Sequence, residues 1–258
     1  MNLCSYDIEL YDDLDAENPD LSKIRPSVAA ICTNENDVEF FYDEPLMAKE
    51  TAKKLVLAMM DKYQAGFIPF GWNTCSFDFC LLGHYSGMPE ECGELALNGI
   101  DAMLMVTFNK GYFLGLDAAL MGAGLETKLH SVKLKDGSVL EQMSGKLAPD
   151  LWRRGEYQAV MDYLKMDVIQ PLKLASVIET KRGIGWTSKT GKNMFCSQPI
   201  TPVKMLFSIP VPNTSWMAVP MKPRVDFVSW IPLNVLRKNG LENVVLDQDY
   251  DQDFTYSE

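Results

Sequence analysis

Ser5-Tyr6-Asp7-Ile8-Glu9-Leu10 is a short apolar run that carries two carboxylates two residues apart. On a β-strand, residues i and i+2 point to the same face, so the run predicts Asp7 and Glu9 side by side. Like charges held that close repel, and a core gives no reason to pair them. Either the strand is an edge with a polar face in solvent, or a divalent cation sits between the acids. The rest of the chain supplies two more acids in apolar surroundings. Asp78 is flanked by Phe77 and Phe79, and Asp167 lies in Tyr163-Leu164-Lys165-Met166-Asp167-Val168-Ile169. Tyr163 and Asp167 are four apart, so on a helix their polar ends share a face.

Working outward, residues 11–26 are acidic and aperiodic and read as a long loop, a feature more often functional than accidental. Its acidic part, Asp12–Asp20, is a candidate gate to the site. Ser27–Cys32 and Val38–Tyr42 read as the second and third strands of an antiparallel meander, with residues 34–37 as the turn. From Ala48 to Gln64 apolar residues recur at three and four, which predicts a helix. Phe67–Trp72 reads as a buried strand. A helix is expected to begin near Ser76, a plausible N-cap, and to run to Gly83. Ile100–Leu104 reads as a strand or strand end and Leu116–Met121 as a small helix. Residues 126–150 are polar and basic, with a turn at Asp136-Gly137. Trp152–Glu179 has a helical period broken by Pro171, which predicts two helices or one kinked helix. Beyond Gly183, seven prolines punctuate short apolar runs. The order of elements is that of an α/β fold with a mixed sheet.

The chain has 258 residues, 47% hydrophobic and 23% charged, as in an ordinary soluble globular protein. No stretch is long and apolar enough to span a membrane, and no basic-then-apolar secretory signal stands at the N-terminus. Six cysteines without a C-x-x-C pair argue against a zinc site and for reduced thiols in an intracellular, cytoplasmic protein. The net charge of −11 is unevenly spread. Residues 1–127 hold 7 Lys+Arg against 21 Asp+Glu, and residues 128–246 hold 17 against 9. That basic segment could track a phosphate backbone, or be solvated surface lysines. Near the C-terminus Asp247, Asp249, Asp251, Asp253 and Glu258 partly imitate a calcium loop. Gln252 stands where such a loop needs glycine, so a disordered acidic tail is the better reading.

Four carboxylates are about what two hard divalent cations require, and two such ions about 3.5–4 Å apart can stabilise an in-line phosphoryl displacement. Asp7-x-Glu9, Asn73-x3-Phe77-Asp78 and Tyr163-x3-Asp167 resemble, in order and rough spacing, the three motifs of the DEDDy-type 3′–5′ exonucleases. These are ribonuclease H-like enzymes that include polymerase proofreading domains, and the resemblance is closest to the family-B-polymerase-like members. It covers residues 1–182, an exonuclease domain with a mixed sheet flanked by helices, and leaves 183–258 as a proline-rich C-terminal extension. Carried over by position, it implies Asp7, Glu9, Asp78 and Asp167 as ligands of two Mg²⁺ or Mn²⁺ ions. Tyr163 would orient the attacking water, while Asn73, Phe77 and Leu10 would frame the terminal nucleotide. The sister subgroup has histidine where Asp162 stands here, which places the chain with the tyrosine subgroup.

The expected function is metal-dependent 3′–5′ hydrolysis of single-stranded nucleic acid, DNA favoured, to nucleoside 5′-monophosphates. A 3′–5′ exoribonuclease and a non-catalytic nucleic-acid-binding module on the same fold are the alternatives, and a polymerase or repair partner is left open. Lys181, Arg182, Lys189 and Lys192, with Trp186 to stack on a base, are further candidate nucleic-acid contacts.

Overall fold

A computed structural model describes residues 1–14, 20–34, 36–218 and 221–244. The acidic tail therefore lies outside the described residues, as does the middle of the acidic loop. Strands β1 (Leu3–Leu10), β2 (Pro26–Cys32) and β3 (Val38–Tyr42) form the expected antiparallel meander. After helix α1 (Lys49–Gln64), β4 (Ile68–Gly71) adds to the other side of β1 in parallel. Two helices follow, α2 (Phe79–Ser86) and α3 (Pro89–Asn98), and then β5 (Ile100–Asp101), which pairs in parallel with β4. The order β3-β2-β1-β4-β5 makes β1 the central strand of a mixed sheet.

The chain continues through α4 (Ala102–Lys110), α5 (Leu116–Ala123), a hairpin of β6 (Ser131–Lys133) and β7 (Val139–Glu141), and helices α6 (Ala148–Arg153) and α7 (Tyr157–Lys181). Beyond α7 come the hairpin β8 (Ile184–Thr187) and β9 (Asn193–Cys196) and the short helices α8 (Val203–Leu206) and α9 (Leu233–Lys238).

Alternation along the strands sorts the core into two layers. Tyr6, Ile8 and Leu10, with Ala29 and Ile31 of β2, bury into one cluster with Ala52, Leu55, Val56 and Met59 of α1. Val28, Ala30 and Cys32 face the other way, onto Trp152 of α6 and Val160, Leu164 and Val168 of α7. The mixed α/β, ribonuclease H-like sheet with helices on both faces is thus as the sequence predicts.

Several local elements differ. A π-helical turn, Thr74–Asp78, replaces the expected start of a helix at Ser76, and α2 begins at Phe79. The strand at Ile100 lasts two residues because the Asp101 carboxylate caps α4, accepting from the Met103 and Leu104 N–H groups. Helix α7 runs unbroken through Pro171, with Val168, Ile169 and Gln170 buried before it and Leu174 and Ala175 buried one turn after it, so packing holds the axis that proline would break. Helix α3, with proline in its first turn, was not anticipated from periodicity.

Trp186 is 5% exposed and packs edge-on against Tyr112, with centroids 6.3 Å apart. It is a core residue and not the exposed stacking platform expected. The reason is strand alternation in β8, which turns Ile184 and Trp186 inward. A close approach of α5 reinforces it, since a Cβ at Gly122 would meet the Gly185 carbonyl oxygen at 2.0 Å. Val203, Leu206, Phe227, Val228, Ile231, Val235 and Leu236 join the same large cluster as the central strands.

Candidate metal centre and its cleft

The register of β1 against β2 sets Asp7 opposite Ala30 and Glu9 opposite Val28. Directly opposed residues share a face, and the Val28–Ala30 face is the one that α7 covers. The acids therefore stand on a central strand beneath a helix, which removes the solvent-facing edge as their explanation. Helix α7 brings Tyr163 and Asp167, one turn apart, to the same place. Ligand oxygens of Asp7, Glu9 and Asp167 all lie within 4.8 Å of one another. A register shift between Glu9 and Leu10, of the kind that re-aims side chains beside functional sites, breaks the regular ladder there, and Leu10 then pairs with Pro26.

Asp78 reaches the site by a different route. Strand β4 ends at Gly71 and leads into Asn73, held in the left-handed region at φ 66°. The π turn that follows carries Phe77 and Asp78. Asp101 anchors it, accepting from the Asn73 N–H through Oδ1 and from the Cys75 N–H through Oδ2, each at 3.0 Å. The same carboxylate thus fixes the turn and caps α4. Asn73 Oδ1 accepts from the Ser76 hydroxyl at 3.2 Å. The Trp230 indole donates to the Cys75 carbonyl at 3.0 Å, so the segment after residue 183 also holds the turn. Asp78 stands outside the tight trio of acids but lines the same cleft.

That cleft has a volume of about 540 Å³, and Asp7, Glu9, Leu10, Asn73, Phe77, Asp78, Tyr163 and Asp167 all line it. It opens at the carboxyl ends of the parallel strands β1 and β4. There the chain has gone one way from β1 to β2 and then the other way to β4, the usual place for a ligand in an open α/β sheet. Leu10 is nearly buried and serves the core as well as the cleft wall.

Burial dominates the electrostatics. Glu9, Asp78 and Asp167 are 5%, 3% and 4% exposed. Desolvation, then the neighbouring Asp167, pushes Asp7 up to about 8. Burial and then the Asp7 charge raise both Glu9 and Asp78 well above the carboxylate range. Burial also raises Asp167, against the pull of Lys128. The Lys128 ammonium is the local counter-charge. Its Nζ donates to Asp167 Oδ2 at 2.7 Å and to the Tyr163 hydroxyl at 3.2 Å. Burial opposes its charge, but Asp167 and Asp7 outweigh burial and keep it protonated. Burial raises the Tyr163 phenol, so it stays neutral and able to hydrogen-bond.

One ammonium against four carboxylates leaves the cluster short of positive charge. The other oxygen of Asp167, Oδ1, is buried without a hydrogen-bond partner. An all-carboxylate donor set with an orphaned oxygen suits a hard divalent cation such as Mg²⁺ or Mn²⁺.

Lys128 and Asp101 are the residues that sequence reasoning missed. Lys128 comes from an aperiodic polar stretch that the Gln170 side chain on α7 ties down by donating to the carbonyls of Glu126 and Thr127. The Lys128 N–H in turn donates to Asp117 at 2.9 Å. Asp101 did carry a signal, being an acid inside Gly99-Ile100-Asp101-Ala102-Met103, the criterion that marks Asp78. Asp162 is exposed and bonds Gln158 at 2.8 Å, outside the cleft. In the acidic loop, Asp12 pairs with Arg25 at 2.6 Å and Asp13 with Arg153 at 3.0 Å.

No protein-family model matches the chain, and no curated protein matches it. Among solved structures, it is similar to the family B DNA polymerase from the hyperthermophilic archaeon Pyrobaculum calidifontis, with TM-score 0.50 and 19% sequence identity. The match covers 69% of this chain and 24% of that one, so the chain spans about a quarter of that polymerase. At this identity the similarity is one of fold.

Proposed function

We propose that the protein is a metal-dependent 3′–5′ exonuclease of the DEDDy type acting on single-stranded nucleic acid, DNA favoured. The observation that carries this reading is the trio Asp7, Glu9 and Asp167, with ligand oxygens within 4.8 Å of one another in a cleft that also holds Asp78 and Tyr163. The motif order of the sequence supports it independently. Asp7, Glu9, Asp78 and Asp167 would hold two Mg²⁺ or Mn²⁺ ions. Bound there, such ions supply charge neutralisation at the attacking and leaving oxygens of a phosphodiester.

The chain's own residues do the rest. The Tyr163 hydroxyl accepts from Lys128, and its fixed oxygen orients the attacking water by hydrogen bond, a task of geometry before acidity. Lys128 holds Asp167 and Tyr163 in one relative position. Phe77, Asn73 and Leu10 frame the terminal nucleoside, with the Phe77 ring offering a stacking face.

Digestion of a 5′-labelled single strand, as DNA and RNA in parallel, with Mg²⁺, Mn²⁺ or EDTA, tests the reading. The expected result is a metal-dependent ladder that shortens from the 3′ end, faster with DNA, and absent for Asp7→Asn. A faster RNA ladder would favour the exoribonuclease alternative. Strand binding without any ladder, from folded metal-bound protein, would favour the binding module.

A further inference from the structure

The cleft does not end at Phe77. A second cavity of about 280 Å³ adjoins it, and Asn73, Phe77, Met103 and Phe113 line both. Its far wall comes from the segment after residue 183, through Lys222 and Asp226. Phe113 is 52% exposed. Its ring meets Phe227 edge-on at 6.0 Å between centroids, which leaves much of the ring uncovered between the two cavities. Lys222 is exposed and has no ion pair among the described residues. The wall is also fixed relative to the site. The Cys75 thiol donates to the Phe227 carbonyl at 3.6 Å and Trp230 donates to the Cys75 carbonyl, so the turn carrying Phe77 and the segment carrying Lys222 are bonded together.

We propose that the second cavity is a subsite for the nucleotide on the 5′ side of the scissile phosphate. This rests on the exonuclease reading above and adds to it a role for the C-terminal segment. An exposed aromatic face suits a base by stacking, whatever its identity. The exposed Lys222 ammonium suits the phosphate of that nucleotide. Asp226 repels a phosphate and accepts from base N–H groups, which assigns the base edge to Asp226 and the phosphate to Lys222. A strand held this way keeps its 3′-terminal nucleotide at the acids and the next one against Phe113, which favours oligonucleotides over mononucleotide esters.

The test compares a short oligothymidylate with thymidine 5′-(p-nitrophenyl phosphate), whose nitrophenyl group replaces the upstream nucleotide and carries no second phosphate. Lys222→Ala is expected to raise KM for the oligonucleotide severalfold and to leave the nitrophenyl ester unchanged. Binding of fluorescein-labelled oligothymidylate in EDTA should become less steep in salt, the slope of log K against log salt falling by about 0.7 for one lost phosphate contact. Phe113→Ala should weaken the oligonucleotide about tenfold, and more than it weakens the ester. Equal effects of Lys222→Ala on both substrates, or no effect with an unchanged salt slope, would overturn the subsite while leaving the exonuclease reading intact. Wild-type protein inert towards both substrates would overturn that reading, and the subsite with it.

Discussion

Lys128 Nζ lies 2.7 Å from Asp167 Oδ2, with the lysine side chain 29% exposed and the aspartate 3%. The pair joins a loop to the middle of α7 across 39 residues of chain. It places a fixed positive charge against a cluster of carboxylates whose mutual repulsion the fold has to contain. Lys128 therefore acts on stability and on the geometry of the site together.

Lys128→Met tests that relationship. Removing one partner leaves Asp167 buried and uncompensated, a loss of about 3 kcal/mol, at the low end because the lysine is partly exposed. Urea unfolding in EDTA should show a lower midpoint, and hydrolysis should slow because Tyr163 loses its donor. An unchanged midpoint would mean that the ion pair contributes nothing net.

The raised carboxyls give the metal-free protein an unusual pH dependence. Asp7 is raised to about 8, and Glu9, Asp78 and Asp167 are also raised. Between the ordinary carboxylate range and about 8 the folded state then binds more protons than the unfolded one, so stability falls as pH rises through that window. In EDTA, Tm should be higher near pH 6 than near pH 8. Mg²⁺ competes with protons for these oxygens, so it should raise Tm more at the higher pH. Equal Mg²⁺-induced shifts at both values would argue against metal binding at these acids.

Asp101→Asn isolates the anchor of the π turn. The amide keeps one acceptor oxygen for Asn73, Met103 and Leu104 but turns an N–H group towards the Cys75 N–H. A buried donor left without its acceptor costs about 1–3 kcal/mol. Because that turn aims Phe77 and Asp78, hydrolysis should fall more than stability explains, with metal affinity reduced. Loss of stability alone, with normal kinetics in the folded fraction, would confine Asp101 to a structural role.

Tyr163→Phe removes one hydroxyl and keeps the ring in its buried place. Metal affinity should stay near wild type while kcat falls about 10²-fold, the low end of the effect of a positioned proton-handling group. Wild-type kcat in this variant would remove the phenol from the mechanism.

The acids were legible in the sequence because each sits where solvent cannot explain it. Period-two alternation put Asp7 and Glu9 on one face, and an i,i+4 spacing put Tyr163 with Asp167. The meander and α1 were legible for the same reason, since each repeats its pattern over several residues. What stayed hidden depends on contacts between distant segments. Lys128 is placed beside Asp167 by the Gln170 and Asp117 side chains, and no periodicity marks the stretch it comes from. The π turn at Thr74–Asp78 follows from the anchoring bonds of Asp101 and Trp230 rather than from a local cap. Trp186 read as an exposed aromatic in a basic segment, whereas β8 buries it because α5 packs onto the Gly185 backbone.

The most direct test of the metal centre is anomalous scattering from crystals of the wild-type protein soaked in Mn²⁺. The expected map has a peak among the carboxylates of Asp7, Glu9 and Asp167, and a second one about 3.5–4 Å away towards Asp78. Full soaking with no anomalous density at these four acids, or density only at exposed acids elsewhere, would contradict the account.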